Sequence, residues 1–248
     1  AELEFEINPG DNSTNELEIW YGHNDEFDLT VVQPNGEFHQ CKLSAKSPVY
    51  NNGVHIGMIY HRQDDPNNRK NHINIFLYPL APSGKWKLRL GGLKVTDGRF
   101  DAWIERDGGC ANCQSKFIGN YISSNSTSNT ICNGFNTIVV GAVKALGPTI
   151  SFAPFSSGGP TIDGRIKPAL RAPGVNILSS KSATNDMLKG NAMSTMMSGT
   201  SMAAPLVTGT TALLMEILSN QPIELHKIRN ILLHNTQPLT ALPASSRN

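Results

Sequence analysis

The chain has 248 residues, an apolar fraction of 39% and 21 Lys plus Arg against 20 Asp plus Glu. That length and apolar content allow one large domain or two ordinary ones with real cores, which excludes disorder as a description of the chain. The balanced charge, with no basic run interleaved with aromatics, leaves no footprint for nucleic acid. No apolar stretch approaches the roughly 18 residues of a membrane span, and Ala1-Glu2-Leu3-Glu4-Phe5 lacks the basic and apolar regions of a signal peptide. A soluble chain with no nucleic-acid or membrane partner is therefore expected.

From Leu3 to Ile104 the pattern is one of short strands: Leu17 to Tyr21, Phe27 to Val32, Ile73 to Tyr78 and Trp86 to Leu90 alternate in polarity. Turn signals separate them at Pro34-Asn35-Gly36, Pro66-Asn67-Asn68 and Pro82-Ser83-Gly84, and nothing before Gly98 reads as a helix of three turns. An all-β sandwich or jelly roll is predicted over residues 1–105. Trp20, Trp86 and Trp103 alternate with core positions and give no obvious aromatic platform; Trp103 is expected in the core.

Residues 106–133 read as an irregular connection bearing Cys110, Cys113 and Cys132; the fourth cysteine is Cys41. Cys110-Ala111-Asn112-Cys113 follows Asp107-Gly108-Gly109 in a loop and has no second close pair, so a disulfide or plain loop thiols are expected in preference to a metal or redox site.

After about Gly134 the pattern changes. Thr137 to Ala142 is a near-continuous apolar strand of the kind found in covered parallel sheets. Met202 to Leu218 is apolar nearly all round, which predicts an internal helix with Pro205 in its first turn. A second helix is predicted from Pro222, with Leu225, Ile228, Ile231 and Leu232 facing the protein and Glu224, Lys227 and Arg229 facing water.

Ser198-Gly199-Thr200-Ser201-Met202-Ala203-Ala204-Pro205 places a serine among small residues immediately before that apolar helix. Small neighbours admit a substrate backbone, and a helix N-terminus offers unpaired N–H groups to an oxyanion. On spacing alone, however, Ser201 or Thr200 serves equally as a helix cap.

The octet resembles the nucleophile signature of the subtilase family. The resemblance extends upstream through Phe155-Ser156-Ser157-Gly158-Gly159-Pro160, Gly164-Arg165-Ile166-Lys167-Pro168 and Ala172-Pro173-Gly174-Val175-Asn176-Ile177, and covers residues 134–248. It implies that this region is the C-terminal half of an α/β subtilisin-like domain. The fold class expected for the whole is mixed: an N-terminal jelly-roll sandwich followed by that half. Gly84 to Leu90 and Gly98 to Ile104 are similar to the end of the jelly-roll insertion in bacterial subtilases of the clostridial spore-germination type, although related strand pairs close the sandwiches of proprotein convertases.

The resemblance also implies a mechanism: Ser201 attacks a peptide carbonyl, a histidine takes its proton, an aspartate orients that histidine, and Thr200 supports the oxyanion or caps the helix. The family's aspartate, histidine and oxyanion asparagine precede its serine, and no residue of this chain sits in a recognisable version of those motifs. His226 and His234 follow Ser201, and His23, His39, His55, His61 and His72 lie in the β module, so all seven are expected to be structural or exposed. The expected partners are a protein or peptide substrate and an N-terminal fragment carrying the missing aspartate and histidine. Without that fragment the chain is expected to be inactive. No cofactor is expected; calcium is common in the family, but no site for it is identified here. The resemblance implies secretion. A non-catalytic pseudoprotease and a binding module using the sandwich remain as alternatives.

Overall fold

In the first half of the chain, alternation in polarity becomes alternation in burial. A computed structural model describes residues 1–105, 113–146, 149–182, 193–219 and 224–236; Asp107 to Asn112 and Pro222 lie outside them. The chain divides into two compact units, Ala1–Ile122 and Ser123–Asn248.

The first unit is a sandwich of two antiparallel five-stranded sheets. One sheet has the order β10-β1-β8-β3-β4, built from β1 (Glu2–Ile7), β3 (Glu26–Val32), β4 (Phe38–Cys41), β8 (Gly84–Lys94) and β10 (Lys116–Ile118). The other has the order β5-β6-β7-β2-β9, built from β2 (Asn15–Tyr21), β5 (Lys46–Asn51), β6 (Val54–Arg62), β7 (Asn71–Leu77) and β9 (Phe100–Ile104). Leu17, Ile19 and Tyr21 of β2 point inward, with Glu16, Glu18 and Trp20 between them on the outer face. The unit runs on to Ile122 because β10 pairs with the edge of β1, at Phe5 opposite Phe117. The pairs β1–β8 and β2–β7 join strands distant in the chain, whereas β3–β4 and β5–β6 pair locally.

Trp86 is fully buried, its ring stacked on Phe5 at 5.8 Å and its Nε1 donating to the Pro82 carbonyl at 3.0 Å. The polar handle of the indole is thereby satisfied. His61 is buried beside Tyr21, the ring nitrogen Nε2 lying 2.6 Å from the phenol oxygen. Burial favours the neutral form of both, lowering the His61 pKa and pushing that of Tyr21 up to about 12. With its Nδ1–H directed at the Cys41 carbonyl, the neutral imidazole accepts at Nε2 the hydrogen bond that the Tyr21 hydroxyl donates.

Trp103 is not in the core. Ala102 and Ile104 pack inward from β9, and Trp103 pairs opposite Glu18 on the outer face. Trp20 shares that face, stacked on His72 at 3.8 Å. A period of two assigns faces only once the strand's phase is known, and Ala102 hides that phase in the sequence.

The link between β8 and β9 hangs on Asp25, which is 1% exposed. Its carboxylate accepts the backbone N–H groups of Thr96, Asp97 and Gly98. These bonds, that from Thr96 foremost, hold its pKa below the usual carboxylate value. A depressed folded pKa gives stability that is present above the unfolded value of about 3.9 and is lost as pH falls through the folded value. Asp25→Asn is expected to lose about 1–3 kcal/mol at neutral pH, with the difference from the parent shrinking below about pH 4. Urea midpoints measured across that range check both statements.

In the second unit, β11 (Val140–Lys144) lies between β12 (Ser151–Phe152), antiparallel, and β13 (Leu170–Pro173), parallel. A separate ribbon pairs β14 (Ile177–Ser180) with β15 (Ser194–Met197). Helices α1 (Thr200–Ile217) and α2 (Leu225–His234) complete it. The core is small, with Ala142, Ala153, Leu170 and Ala172 of the sheet region packed against Ala203, Val207, Ile228 and Leu232 of the helices.

Three expectations for the helices are corrected. Helix α1 is not internal: only Ala203 and Val207 are buried, while Leu213 is 62% and Ile217 75% exposed. It packs against β11 and β13 and, less extensively, against α2. Pro205 is the sixth residue of α1, beyond the first turn, so it has no N–H to offer the Ser201 carbonyl. In α2, Ile228 and Leu232 are buried and Glu224 and Lys227 exposed as expected, but Leu225 is 81% exposed and Arg229 is partly buried.

Candidate active site

The parallel pair β11–β13 delivers its C-terminal end to the start of α1 through close backbone contact. After β13 the chain passes Gly174, whose carbonyl accepts the Gly199 N–H at 2.8 Å. A Cβ on Gly174 would lie 2.7 Å from the Ala142 Cβ and 2.8 Å from the Gly199 oxygen, so glycine is required by space. Two residues on, Asn176 has φ +54° and its N–H donates to the Ser198 Oγ at 2.9 Å. Ser198 in turn donates to the Asn176 Oδ1 at 3.4 Å. The segments 174–176 and 198–199 are thus fastened together just ahead of the helix.

Gly199 occupies the N-cap of α1, and a glycine has no side chain to cap with. Thr200 and Ser201 are the first two helical residues, Thr200 half-buried and Ser201 exposed. Among the described residues neither hydroxyl has a hydrogen-bond partner, so neither is used as a cap. The Ser201 hydroxyl stands beside the positive end of the helix dipole and beside first-turn N–H groups that have no intrahelical acceptor. That arrangement suits stabilisation of a negative oxygen formed next to the serine.

Among the described residues no histidine is bonded to Ser201. His61 is engaged in the sandwich core, His72 is stacked on Trp20, and the exposed His226 lies 3.1 Å from Glu224 at the start of α2. No aspartate or asparagine is bonded to the Ser201 or Thr200 hydroxyl either. The Gly174 clearance and the Asn176–Ser198 tie are contributions that spacing did not identify, although both lie in motif blocks quoted from the sequence.

Cys41 is a free, buried thiol, its pKa pushed up to about 11 by burial, which makes it unreactive. Cys132 is also free, and Cys113 is disulfide-bonded; Cys110 lies outside the described residues. Among the described residues no group of three or more His, Cys, Asp or Glu is arranged to hold a metal ion, so no residue is assigned to calcium. No described helix is long and apolar enough to cross a membrane.

Residues 112–247 match the family model described as the subtilase family, peptidase S8. The C5a peptidase of Streptococcus pyogenes serotype M1 is 44% identical over 92 residues, 36% of this chain and 7% of that protein. The serine protease AprX of Bacillus subtilis is 38% identical over 90 residues, 34% of this chain and 20% of that protein. Among solved structures, the CspB protease of Clostridium perfringens superposes with a TM-score of 0.67 and 26% identity, covering 87% of this chain and 44% of that one. The chain therefore spans a fifth or less of these two curated relatives and under half of the solved structure.

Proposed function

The chain belongs to the subtilase family, and from that premise we propose that it carries the nucleophile half of a secreted serine endopeptidase, with Ser201 as the attacking residue. The observation that carries the reading is an exposed serine in the first turn of α1, its hydroxyl unbonded and its helix capped by a glycine.

In this reading a histidine from a segment outside these residues takes the Ser201 proton as Oγ bonds to the scissile carbonyl carbon. An aspartate from the same segment holds that histidine. The carbonyl oxygen becomes an oxyanion, which receives the Ser201 N–H at the helix start and an asparagine amide from outside, with the Thr200 hydroxyl as further support. The histidine then returns its proton to the amine leaving group, and water hydrolyses the acyl-enzyme by the same steps. The uncovered apolar flank of α1, with Leu206, Leu213 and Ile217 exposed, supports an N-terminal partner segment that packs there. The long-range pairing of β1–β8 and β2–β7 supports reading the sandwich as a jelly-roll variant inserted ahead of the nucleophile half.

The test is Ser201→Ala in the protease containing the upstream segment. The expected loss is roughly 10⁶ in kcat, the scale found when the serine is removed from a subtilisin, a member of this family. Retention of activity within tenfold would remove Ser201 from the chemistry.

A further inference from the structure

The second unit has a cavity of about 370 Å³ that the proposed chemistry does not use. Three cations line it: Arg165, Lys167 and Arg229. Its other principal walls are the apolar side chains of Phe135, Ile166 and Leu233. Phe135 and Ile166 are 74% and 86% exposed, so the cavity is an open groove.

The pocket sits at the opposite end of the parallel strands from Ser201. Ala169, in its wall, donates its N–H to the Val139 carbonyl at 2.8 Å, just before β11 and β13 begin. Gly174 and the start of α1 lie beyond the other end, after the four paired positions from Val140–Leu170 to Val143–Pro173. At about 3.3 Å per residue the two ends are separated by roughly 13 Å of strand. Catalytic ligands of α/β sheets sit at the C-terminal strand ends, so this pocket is a separate place.

The three cations differ in how they are satisfied. Arg165 lies over the Phe135 ring at 4.1 Å and donates to the Asp163 carboxylate and the Asn133 carbonyl, both at 2.8 Å. Lys167, only 7% exposed, donates its Nζ to the carbonyls of Gly134 at 3.0 Å and Thr137 at 3.2 Å. Burial, then the neighbouring Arg165 and Arg229, lowers its pKa. Among the described residues Arg229 has no such compensation: its Nε is buried without a hydrogen-bond partner. Among the described residues that line the cavity there is no carboxylate, so the Arg229 guanidinium meets no anion there.

We propose that this pocket binds an amphiphilic carboxylate, with an apolar body against Phe135, Ile166 and Leu233 and its anionic head on Arg229. A peptide ending in an apolar residue with a free carboxylate has this chemistry. The site stands independently of the role of Ser201.

The experiment is calorimetric titration of the full chain with N-acetyl-leucine, its neutral isostere N-acetyl-leucinamide, and sulfate. N-acetyl-leucine should bind saturably in the millimolar range, with the amide and sulfate each at least tenfold weaker. Arg229→Gln should reduce the affinity for N-acetyl-leucine at least tenfold and leave the amide unchanged. Ile166→Ala, at a position 86% exposed and so safe for folding, should weaken N-acetyl-leucine while leaving sulfate unchanged. Equal binding of acid and amide, equal binding of sulfate, absence of saturable binding, or an Arg229→Gln titration that matches the parent each overturns the proposal.

Discussion

Purified alone, the 248-residue chain is expected to hydrolyse a fluorogenic peptide at least about 10⁶-fold more slowly than the protease that includes its upstream segment. A serine hydroxyl is a weak nucleophile at neutral pH unless a base lies within hydrogen-bonding reach. Among the described residues the Ser201 hydroxyl has no such partner. Loss of the histidine alone costs roughly 10⁶ in kcat in a subtilisin, a member of this family. Loss of the asparagine donor costs about 2.7–4 kcal/mol when the rest of the site is intact, again a figure from a subtilisin. The two losses do not add, because without the base the oxyanion scarcely forms, so the larger sets the expectation. Turnover by the isolated chain within a hundredfold of the complete protease would mean that a base is supplied from within these residues.

The second large effect is expected at Gly174. A methyl group there meets the Ala142 Cβ at 2.7 Å and the Gly199 oxygen at 2.8 Å, and the second of these is backbone that cannot rotate away. Relief requires the loop after β13 to separate from the N-cap of α1, breaking the bond from the Gly199 N–H to the Gly174 carbonyl. Overpacking of this kind costs about 1–3 kcal/mol. Because the displaced residue directly precedes Thr200 and Ser201, a shift near 1 Å is expected to lower activity of the complete protease roughly 10²-fold. Gly174→Ala should therefore lower both the urea midpoint and kcat/KM. Gly209→Ala is the stability control in the isolated chain: it lies inside α1 with nothing within 4 Å of its added Cβ, so about 0.5–1 kcal/mol of stabilisation is expected there.

What could be read from the sequence followed from how local each determinant is. Pro34-Asn35-Gly36 marks a turn in which Gly36 has φ +90° and donates to the Gln33 carbonyl, and the strands on either side are present. Asn52-Gly53 carries the same information, both residues having positive φ in the two-residue link of β5 to β6, yet those strands escaped because their exposed positions blur the alternation. The start of α1 was legible to within two residues, expected at Met202 after the serine motif and found at Thr200. Its burial was not, since an apolar circumference states what a helix can cover and not what is there to cover it. Arg229 shows the same limit. A charged residue on a helix reads as solvent-facing, and only the cavity beside α2 reveals that its Nε is enclosed. The catalytic role proposed for Ser201 came from multi-block resemblance, because helix capping and nucleophilic attack ask for the same residue at the same place.

The account rests on Ser201 being a nucleophile whose base lies outside residues 1–248. A fluorophosphonate probe tests both parts, applied to the isolated chain and to the chain with the upstream segment restored, with the modified residue located by mass spectrometry. The account predicts rapid labelling at Ser201 only when the segment is present. Rapid labelling of Ser201 in the isolated chain, or labelling of a different serine in the restored protease, would contradict it.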